Sequence, residues 1–400
     1  VYRPYGFLAV AESCRPNLRE TLLLYRLFSS RTSSSTARCR CGRRRRKPTD
    51  MSGDNVEVVG LPRGRLDRWL ASTLGDRFEF GHWRAEVISG GLSNLTYRLT
   101  FGGQSVILRR PPLGGVLPSA HDMRREWRLL TALHPTSVPV PEPLALCTDD
   151  SVIGVTFYVM SDVHGVVLRS AEDTRGLEVH QRTKLSETFV STLTRLHAIT
   201  PDEVGLGDFG RGKQFNERQV RRWGRQWDRV RQRQVDDMHR LMDELTERIP
   251  PVNDISIVHG DYRLDNMIVD LQDGDPRVEA VIDWEMSTLG DPLGDLGLAL
   301  TYWHDLDDQE RALIPAAAGV TARPGFLTAA EVADRYAALS GRDLHHLNFY
   351  LGMGAMKLAV ILEGVGARFR AGHMAKRDEL GLDDAVRALV GRGLRQLKSK

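Results

Sequence analysis

The sequence predicts an α+β protein of two unequal lobes, a small one built on an antiparallel sheet and a larger, mainly helical one. Three observations carry that expectation. Strand-like runs separated by turn residues crowd the stretch between Trp83 and Met160, and helical periodicity fills most of the chain beyond it. Within that helical part, two acid-bearing loops follow short apolar runs at Ile255–Val258 and from Val281. A chain of 400 residues with 41% hydrophobic content can bury a sizeable core, and no apolar run approaches the ~18 residues of a membrane span. A soluble protein with no membrane partner is expected.

The first 55 residues are expected to be a disordered basic segment or an upstream extension. Residues 1–50 carry eleven Arg and one Lys against Glu12, Glu20 and Asp50, a net +9. The overall charge of +3 therefore leaves −6 for the remaining 350 residues. A transit peptide and a basic nucleic-acid tail are alternatives, but Met51 stands just before the first segment of globular composition, so upstream sequence before a start there is the expectation. Cys14, Cys39 and Cys41 lie in this segment and Cys147 alone lies beyond it, which excludes a disulfide framework or zinc spacing and favours the cytoplasm.

The small lobe is expected over residues 56–162. It starts with a helix at about Arg63–Thr73, followed by strands at Trp83–Ile88, Leu95–Phe101 and Ser105–Arg109. A helix near Ala120–His134 places Met123, Trp127, Leu130 and Leu133 at helical spacing, with Glu126 on the face of Met123 and Leu130; an acid beside a buried stripe needs a partner. The prolines of Pro135–Pro143 end it, and strands follow at Pro143–Cys147 and Val155–Met160. The helical lobe takes residues 163–400 and carries both acid-bearing loops.

Those loops read H-G-D-Y-R-L-D-N at His259–Asn266 and V-I-D-W-E at Val281–Glu285. One carboxylate to align an attacking hydroxyl, with further oxygens to hold a cation that screens phosphates, is what phosphoryl transfer requires of a protein. A turn and a helix cap would explain His-Gly-Asp and Asp283 separately. They would not explain an Asn five residues after Asp261 together with a second strand-borne carboxylate downstream.

His259, Gly260, Asp261, Asn266 and Asp283 resemble the aminoglycoside phosphotransferase and choline kinase-like superfamily, relatives of the protein kinases, over roughly residues 60 to 370. A narrower similarity, to an acyl-CoA dehydrogenase-associated branch, rests on I-S-G-G-L-S-N-L-T-Y at Ile88–Tyr97, V-I-L-R-R-P-P at Val106–Pro112 and R-Q-V-R-R-W at Arg218–Trp223. The resemblance implies a bilobal protein kinase-like fold, ATP and Mg2+ as cofactors, and Asp261 as the base that orients the acceptor hydroxyl. Asn266 and Asp283 would be the magnesium ligands, a neutral carbonyl oxygen and an anionic one, which suit a hard cation. Asp295 would brace the catalytic loop, and His259 would be a packed scaffold histidine. Asp291 before Pro292 has the blander alternative of a helix N-cap.

Nucleotide contacts rest on weaker signals. Gly90 and Gly91, with Ser93 and Asn94 behind them, form a turn whose backbone donors could approach phosphate, although a Gly-Gly turn is by itself a hairpin signal. Val106–Arg109 follows the kinase V-A-I-K strand with arginine in place of lysine, and Glu126 is its candidate partner. By resemblance the adenine lies against Phe157–Val163, read by backbone groups near Ser161 and Val163.

The acceptor is expected to be a small-molecule hydroxyl. Glu217–Arg233 carries seven arginines, with Arg218, Arg222, Arg225 and Arg229 on one helical face and Trp223 and Trp227 on another. Such a face would attract an anion such as a hydroxyacyl-CoA and repel polycations, unless Glu217, Asp228, Asp236 and Asp237 neutralise it. Nucleic acid is a poor fit for a net acidic body without a recognised module. Phe349–Arg370 reads as core helix, with Lys357, Glu363 and Arg368 snorkelling to water unless they reach the acceptor. The expected activity is transfer of the terminal phosphate of Mg-ATP to a small hydroxyl compound. An aminoglycoside resistance kinase and a nucleotide-binding pseudokinase are the rivals.

Overall fold

Gly102 and Gly103 turn the chain at φ of 52° and 85°, a conformation side chains resist, and so close a two-residue hairpin whose last pair is Phe101 with Gln104. This hairpin is the middle of a five-stranded antiparallel sheet in a computed structural model that describes residues 59–89, 94–113, 122–272, 274–316, 319–371 and 381–398. The turn of Gly90, Gly91 and Ser93 and all of residues 1–58 lie outside the described residues.

After α1 (Arg65–Leu74), the sheet takes β1 (Arg84–Ser89), β2 (Leu95–Phe101), β3 (Gln104–Arg110), β4 (Pro143–Cys147) and β5 (Phe157–Ser161) in the order β1-β2-β3-β5-β4. The period of two sorts β3 onto two faces. Val106 and Leu108 join Leu66, Leu70 and Phe157 in a core beneath α1, while Ile107 and Arg109 face the other way, toward α2 (Met123–Leu133). Asp122 caps α2 by accepting from the Arg125 amide. Its buried face is Met123, Glu126, Leu129, Leu130 and Leu133; Leu129 takes the place expected for Trp127, which is only half-buried. The short helix α3 (Asp150–Ile153) links β4 to β5.

The larger lobe holds α4 (Val179–His197), α5 (Phe215–Val230), α6 (Asp236–Glu247), α7 (Pro292–Tyr302), α8 (Gln309–Ala312), α9 (Ala329–Ser340), α10 (Leu347–Arg370) and α11 (Leu382–Lys398). Sequence periodicity left two small antiparallel ladders inside it unspecified. β6 (Ser256–Val258) pairs with β9 (Thr288–Gly290), and β7 (Met267–Asp270) with β8 (Arg277–Val281). Strands of three to five residues are too short to show a clear period. These ladders bring the two acid-bearing loops together, since Met267 is opposite Val281 and the Ile282 amide donates to the Asn266 carbonyl at 2.9 Å.

Asp291 is the N-cap of α7, accepting from Leu293 N at 3.0 Å with Pro292 in the first turn. α10 is long and apolar enough to cross a membrane by composition, but nearly all of it is buried inside the protein, against α7, α5 and α11. Its apolarity is that of a core helix. The whole is the α+β, bilobal, kinase-like architecture that the sequence implied.

Candidate active site

Gly260 stands at φ 82°, and a Cβ there would lie 2.7 Å from the Met286 carbonyl oxygen. Glycine is therefore demanded on steric grounds, and the loop can pass close under the 284–286 turn. From Gly260 the chain delivers Asp261 into the interior, 2% exposed. Asn266 donates Nδ2 to the Asp261 carbonyl at 2.8 Å and to Asp261 Oδ2 at 3.0 Å. The Asp-to-Asn spacing is thus a direct contact that fixes the carboxylate. Asp283 holds φ 70°, the sole positive value outside glycine among the described residues, and strain of this kind marks functional positions.

His259 ties the two loops together. Its Nδ1 accepts from the Asp261 amide at 3.2 Å and its Nε2 lies 3.0 Å from the Ile282 carbonyl oxygen. One nitrogen must accept and the other donate, so the ring is the neutral Nε2–H tautomer, a scaffold and not a proton shuttle. Asp295, from the first turn of α7, accepts from His259 N at 2.5 Å and from Gly260 N at 2.7 Å. Burial opposes its charge, but His197, His259 and the Gly260 amide prevail and hold its carboxyl below the usual range. His197, 3.4 Å from Asp295 Oδ2, is itself pushed down by burial.

Arg109 is the hinge between the lobes. Cross-strand register sets it between Thr96 and Tyr158, and Glu126 receives Arg109 Nε at 2.8 Å, Tyr158 Oη at 3.0 Å and Asn94 Nδ2 at 2.7 Å. The other end of the guanidinium reaches the large lobe, 3.0 Å from Asp283 Oδ1 and 3.5 Å from Glu285 Oε2. Burial works against this charge, yet Glu126, Tyr158, Asp283 and Glu285 raise its pKa well above the ordinary value. Asn94 belongs to this buried cluster, where it also reaches Glu285 at 3.3 Å, instead of to a phosphate-facing turn as expected. A donor spent on two buried carboxylates satisfies them in place of a ligand.

A second guanidinium, Arg263, lies 2.8 Å from Asp265 Oδ1 and 3.4 Å from Asp261 Oδ2. Five carboxylates, buried or nearly so, thus surround two guanidinium groups. This excess of negative charge, with a carbonyl and a carboxylate in adjoining loops, fits a divalent hard cation held by Asn266 and Asp283.

Two cavities flank the loops. A cleft of about 900 Å³ between the lobes is lined by Arg109, Ser161, Val163, Asp265 and Ile282, under Val87 and Ile88 of β1. Ser161 N is already bonded to the Glu142 carbonyl at 2.9 Å, so this amide is not available to a nucleotide. A second cavity of about 670 Å³ opens on the opposite side of Gly260. Its wall carries Arg125, Arg218, Arg221, Arg222, Arg225 and Lys357, and its apolar lining includes Phe215, Leu298 and Met353. The loop that carries Asp261 borders both spaces, through Gly260 on the second cavity and Asp265 on the first, and Asp261 itself is buried.

Arg221 lines this cavity and Arg229, expected on the same face, does not. Trp223 is buried in its wall, with Nε1 bonded to Gln219 Oε1 at 3.2 Å. Burial and the neighbouring Arg211 and Arg221 push the Arg218 guanidinium down, against Glu217. Among the described residues, Asp228 pairs with Arg231 at 3.6 Å, outside the cavity wall, so the expected neutralisation is not built by Asp228. Lys357, read from sequence as snorkelling to water unless it reached the acceptor, stands in the cavity wall and donates Nζ to the Gly260 carbonyl at 2.6 Å. Glu363 is instead held by Arg233 and Arg370, and Arg368 is absent from the cavity wall. A lysine in a core helix was the one available signal, and it does not specify a direction.

A family model described as the phosphotransferase enzyme family matches residues 84–335. The acyl-CoA dehydrogenase family member 11 of Gallus gallus is 34% identical over 337 residues, covering 83% of this chain and 43% of the relative. The chain therefore spans less than half the length of that curated relative. A solved structure of a putative aminoglycoside phosphotransferase from Ralstonia eutropha shares 33% identity at a TM-score of 0.70, covering 84% of this chain and 97% of the other. An aminoglycoside phosphotransferase APH(4)-Ia mutant, in ternary complex with AMP-PNP and hygromycin B, shares the fold at a TM-score of 0.53 with 17% identity, covering 84% of this chain and 98% of the other. Both branches named by the sequence motifs are thus represented, and the chain belongs to the phosphotransferase enzyme family.

Proposed function

We propose that this protein is a kinase that moves the terminal phosphate of ATP onto the hydroxyl of a small anionic molecule. The observation that carries this reading is the loop of Asp261, whose carboxylate is fixed by Asn266 and which borders an interlobe cleft through Asp265 and a cation-walled cavity through Gly260. The cleft takes the nucleotide, with Arg109 at its inner wall. Asp261 aligns the acceptor hydroxyl and accepts its proton as the phosphorus–oxygen bond forms, a task in which placement outweighs basicity because the transition state is loose. Asn266 and Asp283 would hold magnesium, which would supply charge neutralisation at the phosphates.

The arginines of α5 and Lys357 hold the acceptor's anionic groups, and Phe215, Leu298 and Met353 take an apolar portion. An amphipathic anion of the hydroxyacyl-CoA kind fits both linings, and the relative's acyl-CoA dehydrogenase name is consistent with it. A polycationic aminoglycoside would meet like charge. The ties of Arg109 to Asp283 and Glu285 favour one second reading, a pseudokinase that binds nucleotide without transferring it.

Release of ADP by the purified protein, measured with hydroxyacyl-CoAs, choline-like alcohols and aminoglycosides in turn, separates these readings. Turnover with the hydroxyacyl-CoAs is expected. Magnesium-dependent nucleotide binding without turnover across all three classes would leave only the pseudokinase.

A further inference from the structure

Arg263 is 2% exposed, and none of Nε, Nη1 or Nη2 makes a hydrogen bond with a described residue. Its approaches to Asp265 and Asp261 are ion pairs out of hydrogen-bonding alignment, and its guanidinium lies 5.0 Å from the centre of the Tyr302 ring. A buried guanidinium with idle donors is costly, so a well-packed apolar side chain there would stabilise the fold at least as well. Stability is thus a poor reason for this arginine.

Its direction suggests another reason. Arg263 lines neither large cavity; with Asp265, Tyr302 and Thr321 it borders a small third pocket of about 20 Å³, room for roughly one water molecule. Its guanidinium therefore meets Asp261 within the protein interior and not from the wall of either large cavity. Asn266 fixes the Asp261 carboxylate by a hydrogen bond at Oδ2, whereas Oδ1 accepts no aligned bond from a described residue, the Tyr302 hydroxyl interacting with this carboxyl without alignment.

We infer that Arg263 is a positioning residue: anchored by Asp265, it holds the Asp261 carboxylate in its productive rotamer through charge, with one buried water completing its donors. The inference rests on the kinase reading above, in which Asp261 aligns the acceptor. Arg263 itself touches neither the nucleotide nor the acceptor.

Three variants test this: Arg263→Lys, Arg263→Met, and Arg263→Met with Asp265→Asn, which removes both charges if the single change does not fold. With ADP release as the assay, Arg263→Met is expected to lower kcat on the order of 100-fold, the scale of a small misplacement at a reacting group. KM for MgATP and for the acceptor should change less than about threefold, and Arg263→Lys should recover part of kcat. A merely structural role would lower the melting temperature without this kcat-selective loss and its rescue. A rise in KM for MgATP at constant kcat would make Arg263 a phosphate ligand and overturn the inference, as would unchanged kcat in a folded variant. Absence of wild-type turnover on every acceptor would sink the kinase reading instead. Crystal structures then decide the positioning separately: Asp261 still 3.0 Å from Asn266 Nδ2 in the double variant overturns it, and a turned carboxylate supports it.

Discussion

The two cavities that flank the acid-bearing loops differ in charge. On the cleft side, Arg98, Arg109 and Arg169 are balanced in the lining by Glu86, Asp162 and Asp265, and the Arg109 guanidinium is further paired with Glu126, Asp283 and Glu285. On the other, six cationic side chains share a wall with Asp122 and with Asp295, whose oxygens are already committed to the catalytic loop. Carboxylates beside phosphates are tolerable only with a divalent cation between them, whereas a cationic wall can take an anion unaided. Binding on the cleft side should therefore depend on metal, and binding on the other side on salt.

The largest break in this arrangement is expected at the seam. Asp261→Asn should lower kcat by about 10²- to 10⁴-fold while leaving nucleotide affinity within a few-fold, measured by steady-state ADP release and calorimetry. Loss of nucleotide binding instead would show that Asp261 belongs to the cleft. Asp283→Ala comes next: magnesium-dependent nucleotide affinity should drop by about tenfold or more. Affinity without magnesium should hold or rise, since Arg109 loses one of its partners.

A gentler change sharpens the opposite side. Arg218→Ala with Arg222→Ala should raise KM for an anionic acceptor by roughly 10- to 100-fold, the scale of one or two charge-assisted bonds, with kcat nearly retained. Raising the salt concentration should weaken acceptor binding in the wild type and less so in this variant. An unchanged KM would mean that the acceptor lies elsewhere.

The smallest expected effect is on stability. His197 is held below its ordinary value of 6.5 in the folded state, so the unfolded chain takes up its proton first as pH falls. Stability should decline below about pH 6.5. Asp295 acts lower: its depressed folded pKa contributes stability that is fully present above the usual carboxylate value of 3.8 and is lost as pH falls through the folded value. Urea unfolding across pH should show both legs, and His197→Gln should abolish the upper one and weaken the lower, since His197 helps hold the Asp295 carboxyl down.

Legibility followed sequence separation. Asp261 and Asn266 are five residues apart in one loop, so their contact could be read as a spacing. Arg109 with Glu126 was legible as a β-strand position followed by a helix position. Lys357 meets Gly260 from 97 residues away, and nothing local to α10 distinguishes it from a solvent-seeking lysine. Glu285 and Asn94 each looked like one acid or one amide among several. Only the closure of the small lobe onto the large one made them a single cluster with Arg109.

What the sequence determined by itself was the chemistry: a loop carrying Asp261 and Asn266, a strand ending before Asp283, and a helix with Asp295 in its first turn, because each depends on local spacing and backbone period. What tertiary structure decided was direction. Whether Lys357, Arg221 and Arg263 face solvent, an acceptor or Asp261 depends on which helices pack together, and burial of apolar faces sets that packing without regard to the charges it brings into contact.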